Sequence, residues 1–75
     1  MYIYYELYNP QVANRFINNI FAKISILQYF PRIGSIYKNE QKRFIIYKNF
    51  LIFYEIQEKQ KIVKIKTVIH RKRNY

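Results

Sequence analysis

Four side chains that can take part in chemistry lie together at the end of the chain. The closing stretch VIHRKRNY places His70, Arg71, Arg73 and Tyr75 directly after two β-forming residues. A histidine can exchange a proton near neutral pH, and the neighbouring cations can hold a negatively charged ligand. The same stretch could also be a solvated basic tail. Whether it ends a strand at a site or runs free depends on the elements that precede it.

The charge of the chain is high and uneven. The 75 residues carry 14 Lys and Arg against 4 acidic residues, a formal net charge of +10. Eleven of those cations fall within residues 38–75. A basic half of a small domain predicts a polyanion or an acidic protein as partner.

The residue types present argue against several classes of site. Cysteine is absent, which excludes disulfides and thiolate metal ligands, and one His with four acidic residues is a poor set for a zinc or calcium cage. We therefore expect no metal and no cofactor. The apolar runs, such as FLIFY, are far shorter than the roughly 20 residues of a membrane span. With no cationic leader at the start, a cytoplasmic protein is expected.

The length fits one small domain over residues 1–75. Asn9-Pro10 is a helix-start signal. Apolar residues then recur at helical spacing from Ala13 to Leu27, and Pro31 with Gly34 ends the helix and permits the turn out of it. This pattern predicts a helix from about Pro10 to Tyr29. Residues 1–8, MYIYYELY, fit either a strand or the last turns of an earlier helix.

After Gly34 the sequence changes to short runs rich in β-branched and aromatic residues. These runs are Arg43–Tyr47, Phe50–Ile56 and Lys61–Ile69. The short connections between them, in which Asn49 suits a residue of positive φ, predict an antiparallel β-meander of three strands. The fold class expected is α+β, with a long helix packed on this meander.

The middle predicted strand is apolar on both faces. If Ile52, Tyr54 and Ile56 face the helix, Leu51 and Phe53 lie on the opposite face. In the third strand Val63, Ile65 and Thr67 should share one side, so that Lys64 or Lys66 lies beside Leu51 and Phe53. One layer of helix cannot cover both faces of a sheet. The second face is predicted to bind a partner, unless residues 1–8 or a second copy of the chain cover it.

The ordered set of these segments resembles the RelE/ParE superfamily of bacterial toxins. A Leu-x-x-x-Pro-x-x-Gly stretch is present as Leu27, Pro31 and Gly34, an aromatic-aliphatic strand as FLIFY, and a His-x-x-Arg ending as His70 and Arg73. The resemblance covers about residues 10–75. It implies a toxin of a type II toxin-antitoxin system, neutralised by a cognate acidic antitoxin.

The start of the chain departs from that pattern. The superfamily begins with a strand and a first helix, so MYIYYELY resembles the last turns of that helix. The resemblance therefore implies a domain that lacks the first strand and most of the first helix. Because such a loss would uncover apolar surface at ~25 cal/mol per Å², association with a partner or with a second copy is expected.

Two mechanisms exist in the superfamily. One class cleaves messenger RNA on the ribosome, which requires a base, an acid and cations at the phosphate. Its middle strand commonly carries an Arg at the position where this chain has Leu51. If the chain is an endoribonuclease, the candidate catalytic residues are Arg43, His70, Arg71 and Tyr75, with Lys48 as a further cation.

The other class, ParE, acts on DNA gyrase by binding, and Leu51 favours that class. The residues expected to bind antitoxin or target are Leu51, Phe53, Lys64, Lys66, Arg71, Lys72 and Arg73. Antitoxins of this type fold around their toxin as they bind it. A third alternative is a non-catalytic nucleic-acid-binding module with aromatic side chains that stack on bases.

Overall fold

The computed structural model describes residues 1–6 and 14–71, with the side chains of residues 14–18 left out of the description. Strand β1 (Tyr2–Tyr5) precedes helix α1 (Asn14–Ser25), which is followed by two 3-10 turns, Ile26–Gln28 and Pro31–Ile33. The remaining strands are β2 (Ser35–Asn39), β3 (Lys42–Tyr47), β4 (Phe50–Gln57) and β5 (Ile62–His70).

The five strands form one mixed sheet in the order β1-β5-β4-β3-β2. Strands β3, β4 and β5 are the predicted antiparallel meander, within one residue of their predicted bounds. The prediction of only three strands is wrong, because β2 pairs antiparallel with β3 and β1 pairs parallel with β5. The tight turn between β3 and β4 takes its positive φ at Lys48, at 53°, and not at Asn49.

Strand β1 settles the alternatives for the start of the chain. Tyr2 pairs with Ile62 and Tyr5 with Ile65, and Ile3 packs against the core. The interpretation of this stretch as the end of a helix is therefore wrong over residues 2–5, and the expectation that a first strand is missing is corrected. Residues 7 and 8, the rest of the stretch expected to end a first helix, lie outside the described residues.

Helix α1 is shorter than predicted. The backbone tightens into a 3-10 turn at Ile26–Gln28, where the N–H groups of Tyr29 and Phe30 both donate to the carbonyl oxygen of Ile26. A residue that precedes proline is disfavoured in the α conformation, so the helix closes before Pro31. Residues 10–13 of the predicted helix lie outside the described residues. In the described ranges no helix combines the length and the apolar character needed to cross a membrane.

The core lies between this helical segment and one face of the sheet. Its fully buried side chains are Ile24, Leu27, Ile52, Tyr54, Ile56, Val63 and Ile65. The apolar spacing of the helix supplies the first two, and the alternation of β4 and β5 supplies the others.

Two side chains of the sheet, those of Tyr54 and Arg43, bind the segment from Pro31 to Gly34. We call these two side chains together with that segment the clamp. The Tyr54 hydroxyl donates to the Pro31 carbonyl oxygen at 2.6 Å and accepts from the Gly34 N–H at 3.1 Å. Gly34 is extended, at φ −76°. The glycine is needed for the close approach of the Tyr54 hydroxyl and the Phe44 carbonyl oxygen, and not for a left-handed conformation.

Replacing Tyr54 with Phe tests the clamp through its pH dependence. Burial raises the pKa of the Tyr54 hydroxyl, although the Gly34 N–H and the Arg43 charge act in the opposite direction. A raised phenol pKa contributes stability that is present below about pH 10 and is lost as the pH rises through the folded-state value.

We expect Tyr54→Phe to lower the free energy of unfolding by about 1–3 kcal/mol at neutral pH, because two buried backbone groups lose their partner. The difference from wild type should shrink above about pH 10. Urea unfolding at a series of pH values measures both effects. A difference that stays constant into the alkaline range would contradict the contribution from the hydroxyl proton.

Candidate binding face of the sheet

The side chains of β4 alternate between the two faces of the sheet. Phe50, Ile52, Tyr54 and Ile56 are buried towards the helix, and the residues between them are half-buried on the other face. We call this second side the outer face. Its members on β3, β4 and β5, read from the strand register, are Lys42, Phe44, Ile46, Leu51, Phe53, Glu55, Gln57, Ile62, Lys64, Lys66, Thr67 and Ile69. Leu51 and Phe53 thus lie on the side predicted for them.

A β-bulge at Lys66 changes which residues of β5 lie beside them. The register shifts so that Phe53 pairs with Thr67 while Tyr54 pairs with Ile65. Val68, and not Thr67, then continues the buried side of Val63 and Ile65. The predicted orientation of Thr67 is therefore wrong, and Leu51 pairs with Ile69 instead of lying opposite a lysine.

Three aromatic rings form the centre of the outer face. The Phe53 ring lies 5.0 Å from the Tyr37 ring at an interplanar angle of 66°, and 5.7 Å from the Phe44 ring at 40°. Lys38 Nζ lies 5.7 Å from the centre of the Tyr37 ring. The rings of Tyr37 and Phe53, with Thr67 and Ile69, line an open concavity of about 320 Å³.

The cations of the outer face are partly paired with two glutamates. Lys64 Nζ lies 3.3 Å from Glu6, and Lys66 Nζ lies 3.6 Å from Glu6 and 3.9 Å from Glu55. Lys42 is the Cα partner of Glu55 across the β3–β4 ladder. Lys42 and Lys66 also line the concavity, so its rim is both apolar and cationic.

The candidate acid–base residue lies on the other side of the sheet. His70 pairs with Phe50, and the two ring centres are 4.9 Å apart at an angle of 39°. Since Phe50 is buried in the core, this stacking directs the exposed His70 ring towards the helix side. Arg71 is exposed, and its backbone N–H donates to the Asn49 carbonyl oxygen at 2.6 Å.

Two of the predicted catalytic residues, Arg43 and His70, lie apart on the sheet. Arg43 pairs with Tyr54 and His70 with Phe50, and four residues of strand separate those positions by about 13 Å. The Arg43 guanidinium is buried and donates to the carbonyl oxygens of Arg32, Gly34 and Glu40 and to the Glu40 carboxylate. Lys48 is exposed in the β3–β4 turn. Residues 72–75, with Lys72, Arg73 and Tyr75, lie outside the described residues.

A family model for the ParE toxin of type II toxin-antitoxin systems, parDE, matches residues 1–75. The chain belongs to the ParE toxin family. The search of curated proteins returned no match to this ParE-family chain.

Solved structures of a related toxin share its fold. The isolated E. coli RelE toxin superposes with a TM-score of 0.77 at 11% identity, covering 95% of this chain and 86% of that one. A mutant of E. coli RelE in complex with an antitoxin RelBc peptide gives a TM-score of 0.74 at 11% identity, covering 99% and 87%. The intact E. coli RelBE toxin-antitoxin complex gives 0.73 at 11% identity, covering 93% and 98%.

Several residues of the outer face were not among the sequence-predicted site residues. They are Tyr37, Lys38, Lys42, Phe44, Glu55, Thr67 and Ile69. The alternation of Lys42, Phe44 and Ile46 along β3 could have placed those side chains with Phe53. Thr67 and Ile69 depend on the bulge, for which an unbroken run of β-forming residues gives no signal.

Proposed function

We propose that this ParE-family chain is a bacterial toxin that acts by binding DNA gyrase through its outer face, without cleaving RNA. The observation that carries the proposal is the separation of the two faces. Rings, aliphatic side chains and lysines occupy the outer face, whereas His70, the only histidine of the sequence, stacks on Phe50 on the helix side. Binding to gyrase requires only the groups of the outer face, whereas RNA cleavage requires an acid and a base beside the phosphate.

The cations that could hold a phosphate support the same conclusion. Arg43 has four acceptors within the fold, and Leu51 occupies the position on β4 where the RNA-cleaving class commonly carries an Arg. The family match to ParE, together with this arrangement, favours gyrase over the ribosome as the target.

We propose further that a cognate acidic antitoxin holds the toxin inactive. RelE, which has a similar fold, is found in complex with an antitoxin peptide and with intact RelB. A net charge of +10 would attract an acidic antitoxin over long range and speed its capture.

Two assays on the purified chain test the target. In the first, gyrase supercoils relaxed plasmid in the presence of the toxin. In the second, translating ribosomes are incubated with the toxin, and the message is examined for position-specific cuts. We expect inhibited supercoiling or trapped gyrase–DNA complexes and an intact message. Message cleavage that His70→Ala or Arg71→Ala abolishes would overturn the proposal in favour of an endoribonuclease.

Substitutions on the two faces test the surface. Ile69 is 44% exposed on the outer face, and Ile33 is 61% exposed in the second 3-10 turn. Ile69→Glu should weaken gyrase inhibition about tenfold or more, as expected for a central apolar contact, and the matched Ile33→Glu should leave it within about twofold. His70→Ala should also leave inhibition intact. Equal losses in the Ile69 and Ile33 variants would argue against the outer face as the gyrase-binding surface.

A further inference from the structure

Two carboxylates, those of Glu6 and Glu55, lie among the lysines of the outer face, and of the two only Glu55 lines the concavity. Glu55 pairs across the ladders with Lys42 on one side and Lys64 on the other, and its carboxylate lies 3.9 Å from Lys66 Nζ. The same carboxylate accepts a hydrogen bond from the Gln57 amide at 3.3 Å. Glu55 is next but one to Phe53 along β4 and lines the concavity with it. An acidic group therefore already occupies the cationic rim in the free chain.

The rings of the concavity do not offer a free stacking surface. Tyr37 meets Phe53 edge to face, and Phe44 tilts against the same ring. The Lys38 ammonium lies over the Tyr37 ring. A nucleobase stacks on an open aromatic face, whereas rings that pack edge to face on one another present an apolar floor. That floor suits an aliphatic or aromatic side chain of a peptide.

We infer that the concavity binds an acidic peptide segment that carries an apolar anchor residue. The anchor lies against Phe53, Tyr37 and Ile69, and carboxylates on either side of it pair with Lys38, Lys42 and Lys66. In the free chain, the Glu55 carboxylate occupies the position of one such carboxylate beside Lys66 until the segment binds. The inference rests on the proposed function, since it names the chemistry of the partner that the outer face takes.

Glu55 then sets the affinity of the face. An incoming carboxylate must share Lys66 with Glu55, and two carboxylates that approach the same ammonium repel each other. Replacing Glu55 with Gln keeps the size of the side chain and its contact with Gln57 but removes one of the two carboxylates, Glu6 and Glu55, that share Lys66. The substitution should therefore strengthen the binding of acidic segments.

Fluorescence anisotropy on the full chain, at physiological ionic strength, tests the inference with three labelled probes. One is a peptide with a single leucine flanked on both sides by glutamates. The second has serine in place of that leucine, and the third is an oligothymidine of the same charge. We expect the leucine peptide to bind at least about fivefold tighter than the serine peptide, from the apolar area that leucine buries.

Two matched glutamate variants isolate the role of Glu55. Glu55→Gln should tighten binding of the leucine peptide by about threefold or more, as expected for release of a partly buried cation. Glu58→Gln makes the same change in net charge, but Glu58 pairs with Arg32 outside the outer face. It should leave the affinity unchanged. Ile69→Ser, at an exposed position that does not support the core, should remove the preference for leucine over serine.

Four results would overturn the inference. Equal affinity for the two peptides would mean that charge alone attracts them, and equal gains in the two glutamate variants would mean that net charge alone sets the affinity. Tighter binding of the oligothymidine than of the leucine peptide would assign the face to nucleic acid. Gyrase inhibition without peptide binding would reject this inference and leave the proposed function standing. Peptide binding without gyrase inhibition would support the inference and reject gyrase as the target.

Discussion

Gly34→Ala is expected to unfold the protein or to lower its free energy of unfolding by about 3 kcal/mol or more. This loss exceeds the usual range for overpacking because the added methyl group would collide with a backbone carbonyl oxygen as well as with a side chain. A Cβ at this position would lie 2.5 Å from the Tyr54 hydroxyl oxygen and 2.6 Å from the Phe44 carbonyl oxygen. The hydroxyl could move only by giving up its hydrogen bonds to Pro31 and Gly34, and the carbonyl belongs to Phe44 of β3, which pairs with Ser35 at the start of β2. Urea unfolding followed by circular dichroism measures the loss.

A double substitution separates the two clashes. Tyr54→Phe removes the hydroxyl oxygen but leaves the Phe44 carbonyl in place. Gly34→Ala should therefore cost less in the Tyr54→Phe background than in the wild type, yet still destabilise the fold. The control is Ser35→Ala, which also leaves an alanine in this segment but at an exposed position; it should change the stability by about 0.5 kcal/mol or less. A Gly34→Ala protein as stable as the Ser35→Ala protein would show that the segment can shift away from the sheet.

The central part of the fold could be predicted because its local signals agree. In β3, β4 and β5, β-branched and aromatic residues coincide with short connections, so strand type and antiparallel pairing follow from the same residues. The apolar spacing of the predicted helix likewise places Ile20 and Ile24 of α1, and Leu27 of the following 3-10 turn, in the core. In each case a single periodicity fixes both the element and the face that it buries.

The two edge strands could not be predicted on this basis. β1 is exposed at Tyr2, Tyr4 and Tyr5, so it has no apolar alternation to mark it, and its pairing partner lies about 60 residues away in β5. β2 is exposed along its whole length and shifts register between Ile36 and Asn39. Both strands are held by backbone hydrogen bonds to a neighbouring strand, which leave little trace in side-chain pattern.

The candidate site was predicted in part for the same reason. The alternation of β4 placed Leu51 and Phe53 opposite the helix. The bulge at Lys66 then exchanged the faces of Thr67 and Val68, and the stacking of His70 on Phe50 followed from that exchange. One extra residue in β5 therefore decides which of the functional candidates share a face.

Arg43 is the residue for which the sequence and the structure suggest the most different roles. As a cation at the start of a predicted strand it is a candidate catalytic residue if the chain cleaves RNA. In the structure it is 8% exposed, and its guanidinium donates at 2.8 to 3.1 Å to the carbonyl oxygens of Arg32, Gly34 and Glu40, with a further 2.7 Å contact to the Glu40 carboxylate. A planar group with several donors in fixed directions can satisfy all of these acceptors at once.

Arg43→Ala should therefore lower the free energy of unfolding by about 3–5 kcal/mol, because the carbonyl oxygens of Arg32, Gly34 and Glu40 lose their donor and each acceptor left unpaired away from water costs about 1–3 kcal/mol. For a chain of this size that is a large share of a total of about 4–11 kcal/mol. Arg43→Lys keeps the charge, but an ammonium group cannot reach three separate carbonyl oxygens. Its free energy of unfolding should therefore lie between those of wild type and Arg43→Ala. Urea unfolding at neutral pH gives both values.

A functional readout then separates the structural role from a catalytic one. Gyrase inhibition by Arg43→Lys, corrected for the folded fraction, should equal that of wild type, because the guanidinium faces the clamp and not a ligand. If Arg43→Lys instead remained as stable as wild type and lost its activity, the hydrogen bonds to the Pro31–Gly34 segment would not be the reason for an arginine at this position. Arg43 of the wild type would then have to break its four hydrogen bonds within the clamp in order to act on a ligand. Breaking them is unfavourable for a buried guanidinium.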